Sequence, residues 1–144
     1  MAVPWTRLDR LVTFRKRTED GALSVLATAR QALGHAQDRL AGAIRASRAD
    51  YRDQDDSAFW MVEEAAHRRA LHSASTARLD VSRAAAGEAA ARDGYGQAHR
   101  QAEAVRRVAD RKRVDYLKAL AKLELRRLDE MGTVEFQRAR ASGG

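Results

Sequence analysis

From Ala22 onward, apolar and small residues return along the chain at alternating intervals of four and three. Ala22, Leu26, Ala29, Leu33, Ala36, Leu40, Ala43 and Ser47 form this series, with leucine in one position of the repeat and alanine in the other. Side chains spaced this way share one face of a helix, and sustained alternation is coiled-coil periodicity. Alanine at one seam position lets a partner backbone approach closely. Leu8, Leu11 and Val12 extend the apolar side towards the N-terminus. The series stops at YRDQDDS, residues 51–57, a polar cluster of turn formers. Ser57 or Asp56 can cap a following helix, with Glu63 and Glu64 in its first turns. A second series then runs through Ala70, Ala74, Ala77, Val81, Ala84, Ala91, Tyr95, Ala98, Ala102, Val105 and Ala109, interrupted at Glu88.

The pattern predicts an all-α fold: an elongated antiparallel two-helix coiled-coil hairpin with a C-terminal helical overhang. The chain reads as a single domain, with helix 1 over about 6–52, a turn at about 53–57, helix 2 over about 58–138 and a disordered tail at 139–144. The short connection makes the two helices antiparallel. Gly94-Tyr95-Gly96 is a candidate kink, or a loop that would divide helix 2 into two. A turn near residue 55 sets residue i opposite about 110 − i, so helix 1 ends opposite about residue 104. The part of helix 2 beyond Val105 then overhangs. In the overhang, Val114, Leu117, Ala121, Leu125 and Leu128 recur at helical spacing, bordered by Leu120 and Met131. Lys118, Lys122, Arg126, Arg127, Asp129 and Glu130 occupy the rest of the surface. The stripe therefore needs a partner that helix 1 does not supply.

Composition narrows the choice. The chain has 144 residues and a single proline, Pro4, so helix is permitted from there to the end. Aromatic residues are 6% and charged residues 33%, too few large side chains for a broad core and enough for a thin seam. The net charge of +7 and the pI near 10.5 come almost entirely from arginine and favour acidic partners. Acidic residues accompany the arginines in RTED, RASRADYRDQDD and ADRKRVD, however, which reads as a mixed, solvated helix surface and not as a nucleic-acid site. No apolar run is long enough to span a membrane and no signal peptide is recognisable, so the sequence reads as a soluble, cytoplasmic protein.

Candidate chemistry is sparse. There is no cysteine, which removes disulfides, thiolate metal sites and cysteine nucleophiles. His67 and His72 are five apart, off the i,i+4 spacing of a helical zinc pair, and His35 and His99 are isolated. No metal or cofactor is expected. Glu63-Glu64 and Asp55-Asp56 read as caps, since no pocket can be argued around them. The chain is not expected to be an enzyme.

Several stretches resemble the flagellar FliJ proteins and their injectisome counterparts, the YscO/SctO group, which are central stalk proteins of type III export ATPases. The C-terminal run Glu124-Leu125-Arg126-Arg127-Leu128-Asp129-Glu130, followed by Phe136-Gln137-Arg138-Ala139, is similar to that family's terminal pattern. RKRTEDGA, residues 15–22, and Asp50-Tyr51-Arg52 are similar to its opening and to its approach to the turn. Gly132, the GYG and the reduction of the aromatics after the turn to Phe59 and Trp60 depart from it. The resemblance implies a cytoplasmic, non-enzymatic coupling protein whose joined helix ends enter the pore of a hexameric ATPase. Val114, Leu117, Leu120, Leu125, Leu128 and Met131, with Arg126, Arg127, Asp129 and Glu130, would then meet the ring. Ile44, Tyr51 and Trp60 would meet the cytoplasmic domain of the export gate. Export chaperones are further implied partners, nucleic acid is not, and the membrane is reached only through partners. The alternatives are a homodimeric structural coiled coil and a basic helical protein on nucleic acid or anionic membrane, and residues 116–131 could also self-associate or fold back on Val3 and Trp5. The residues alone do not separate a flagellar from an injectisome system.

Overall fold

The computed structural model describes residues 7–48 and 57–143. It contains two helices, α1 (Arg7–Arg48, 42 residues) and α2 (Ser57–Ser142, 86 residues), packed against each other as an all-α hairpin. The turn expected at 53–57 lies outside the described residues apart from Ser57, where α2 begins. α2 passes through Gly94, Tyr95, Gly96 and Gly132 without a break and ends at Ser142, past the expected 138. Thr133 and Ser142 donate their hydroxyls to backbone carbonyls of the preceding turn, so both are satisfied within α2 itself. α1 carries Asp9 in its first turn and Arg45 and Arg48 in its last, matching the helix dipole at both ends.

Two compact units divide the chain: Lys16–Arg100, and Met1–Arg15 with Gln101–Gly144. In the first, Leu26, Ala36, Ala74, Ala77 and Ala98 are buried, while Leu33, Leu40, Ala43, Val81, Ala84, Ala91 and Tyr95 are half-buried. These are positions of the two apolar series, so the helical period built the seam. Glu88, which interrupts the series in the sequence, occupies a seam position and is only 7% exposed. Arg92 Nη2 donates to both of its carboxylate oxygens at 2.9 and 3.0 Å, and Arg30 Nε donates to it from α1 at 3.4 Å. These two arginines, Arg92 first, hold the Glu88 carboxyl below the usual glutamate range against the opposing effect of burial.

The register differs from the one expected. Glu19 pairs with His99 and Arg30 with Glu88, so the numbers of facing residues add to 118, not to 110. The physical reason lies in the seam. Leu26, Leu33 and Leu40 come level with alanines at either register, whereas Glu88 reaches Arg30, and His99 reaches Glu19, only at this one. A buried polar group is a known means of fixing register. The shift lengthens the paired part of α2. In the second unit Ala102 and Ala109 are buried, Arg15 Nη1 donates to Gln101 Oε1 at 2.8 Å, and Arg113 Nη2 donates to Asp9 Oδ1. The overhang therefore begins after Arg113 and not after Val105.

A candidate partner-binding face on the long helix

Beyond Arg113, α2 continues for more than seven turns with no residue of α1 level with it. Val114 (48%), Leu117 (50%), Leu125 (61%), Leu128 (63%) and Met131 (61%) are exposed, and Leu120 is half-buried. Arg126, Arg127, Asp129 and Glu130 are exposed, and no ion pair among the described residues holds them.

The helical period divides the apolar residues into two rows. At about 100° per residue, Tyr116, Leu120, Leu123, Met131 and Val134 stay within roughly 40° of the line through the buried Ala109, so they continue the face that α1 covers lower down. Val114, Leu117, Ala121, Leu125 and Leu128 lie roughly 80–160° around the helix from that line. Leu120 and Met131 thus belong with the seam row and not with the stripe they were expected to border. Leu123 (52%), Val134 (46%) and Phe136 (67%) are exposed apolar residues that the sequence pattern did not single out. Continuing the Ala102–Ala109 series by further steps of three and four would have found the first two. Arg127, Glu130, Met131, Val134, Glu135 and Arg138 line a shallow groove on the same side.

Charge is distributed unequally between the units. Met1–Arg15 with Gln101–Gly144 holds 14 basic against 8 acidic residues, a net +6 of the chain's +7. Nearly all of the favourable potential for an acidic partner therefore arises in the unit with the two exposed apolar rows.

The gate residues expected near the turn are less well defined. Trp60 is 58% exposed beside Phe59 (48%), Met61 (71%) and Val62 (66%), Ile44 is half-buried, and Tyr51 lies outside the described residues. Trp60, Met61, Glu64, Ala65 and Arg68 border a shallow depression, closed on one side by the Arg68–Glu64 ion pair at 3.0 Å. Among the described residues no group of three or more His, Asp and Glu could hold a metal ion. No described helix is long and apolar enough to cross a membrane.

A family model for the flagellar FliJ protein matches residues 5–141. The chain belongs to the FliJ family. The match takes in both helices and the whole of the α2 extension up to Ala141. Membership makes the chain a component of the flagellar export apparatus, in a family of export proteins and not of known enzymes. No curated protein and no solved structure matches it.

Proposed function

We propose that this FliJ-family chain is the central stalk and coupling protein of a type III export apparatus. The end of the hairpin that carries both chain termini enters the pore of the hexameric export ATPase at the cytoplasmic face of the apparatus. There it promotes ring assembly and ATP hydrolysis and links them to the export gate. The observation that carries this reading is the part of α2 beyond Arg113, which has no α1 level with it and keeps large apolar side chains exposed on two sides.

A helix apolar on more than one side needs surroundings that enclose it, and a pore through a ring is such an environment. Val114, Leu117, Leu120, Leu125, Leu128 and Met131 supply the apolar contact. Arg126, Arg127, Asp129 and Glu130 have no partner ions among the described residues and supply polar contacts that exchange as the ring cycles. The +6 of this unit steers it to an acidic pore mouth, so binding weakens as salt is raised. Ile44, Tyr51 and Trp60 make the gate contact, with Trp60 as the aromatic anchor. Export chaperones are further partners of the same apparatus.

The test is ATP hydrolysis by the cognate ring as this protein is titrated in. Stimulation that saturates near one chain per hexamer supports the stalk. A homodimer that leaves the ATPase rate unchanged overturns it.

A further inference from the structure

Residues 7–15 of α1 hold α2 by contacts unlike those of the rest of the hairpin. Among the described residues of that unit the buried side chains are Asp9 on α1 and Ala102 and Ala109 on α2. Leu8, Val12 and Val105 are half-buried, and Leu11 and Phe14 are exposed. Among the described residues of that unit no leucine or aromatic side chain is buried, whereas Leu26 is 3% exposed in the other unit. Two polar contacts join the helices here: Arg113 Nη2 donates to Asp9 Oδ1, and Arg15 Nη1 to Gln101 Oε1. Arg15 Nε is shielded from solvent and meets no acceptor, an unfavourable position that opening would relieve.

We infer that residues 7–15 form a detachable strap, latched by the Asp9–Arg113 pair. Release bares Ala102, Val105 and Ala109, which lie in line with Tyr116, Leu120 and Leu123, and so lengthens the apolar row of α2 downward by about three turns. Closed, the strap shortens the row. Open, it offers a partner a longer helix face. The use of that longer face by the ATPase ring rests on the stalk reading, while the strap itself does not.

Hydrogen exchange on the full chain tests it. The amides of residues 12–15 already have acceptors within α1, so fraying of the first turn does not reach them. A detached segment this short does not hold helix on its own, so opening exposes them to exchange. They should exchange about tenfold or more faster than those of residues 26–36. Asp9→Asn and Arg113→Gln should each accelerate residues 12–15 by about a further tenfold, the effect of one charge-assisted hydrogen bond. The double variant should go little beyond Asp9→Asn alone, because that change already removes the shared pair. Residues 26–36 should be unmoved in all three.

The inference fails if residues 12–15 are as protected as 26–36. It also fails if Arg113→Gln is silent, or if both segments accelerate together. In a parallel titration with the ATPase ring, Asp9→Asn should bind more tightly than the unaltered chain. Equal binding would sink the competitive use of the strap, whereas no binding by the unaltered chain would sink the stalk reading and leave the exchange result standing.

Discussion

Changing Leu117 and Leu128 to aspartate together should separate the stability of the hairpin from its coupling function. The two are 50% and 63% exposed, so a partner can bury at each about half to two thirds of the surface of a leucine. Full burial of a leucine is worth about 1.5–3 kcal/mol, which leaves about 1–2 kcal/mol to be gained at each site. Together they account for about 2–4 kcal/mol of ring binding, a loss of roughly thirty- to several-hundred-fold in affinity. Burying two carboxylates against an apolar lining adds to that loss. The isolated protein should hardly notice. Exposed substitutions on a helix cost a few tenths of a kcal/mol each through propensity, below about 1 kcal/mol for the pair and a few degrees in melting temperature. The assays are thermal unfolding by circular dichroism and ATP hydrolysis by the ring over a titration of wild type and double variant. Loss of stimulation at a nearly unchanged melting temperature is expected. A fall of more than about 10 °C would mean that the two leucines are core, and the account of the overhang would be refuted.

The same structure leads to three further outcomes. Truncation after Val114 should abolish stimulation and leave the melting temperature nearly unchanged, whereas truncation after Val105 should also destabilise the hairpin, since it removes buried Ala109 and the Arg113 partner of Asp9. Leu26→Ala should cost about 2–5 kcal/mol in denaturant unfolding, because Leu26 is the one large apolar side chain buried among the described residues. Glu88, held in its ionised form by Arg92 and Arg30, stabilises the hairpin at pH values above the ordinary glutamate pKa of about 4.3. That contribution is lost as pH falls through its lowered folded-state pKa. Glu88→Gln should therefore melt lower than wild type at neutral pH, and the gap should close as the solution is acidified below about pH 4; a gap independent of pH would contradict the pairing.

Most of the fold was legible because its seam is periodic. Residues 22–47 and 70–109 repeat at intervals of three and four, and burial tracks those positions almost one for one. Charged groups in the seam were harder to read. Arg15 and Glu19 continue the α1 series but carry charge, and Glu88 looks like an interruption until Arg30 and Arg92 are seen to neutralise it. Pairing register depends on such partners across the helices and not on spacing within either one, so a turn position alone placed it eight residues away. The candidate face was legible as apolar residues without a partner. Its division into two rows was not, because the direction of the seam has to be known first.

The most direct test of the stalk reading is site-specific photocross-linking. A benzophenone side chain in place of Leu128, on the extension, and one in place of Trp60, near the turn, are each irradiated with the assembled ATPase ring and the export gate present. Leu128 should cross-link to the ATPase subunit and Trp60 should not, with the Trp60 probe reaching the gate. Cross-linking of Leu128 only to a second copy of this chain, or of both positions equally to the ring, would contradict it.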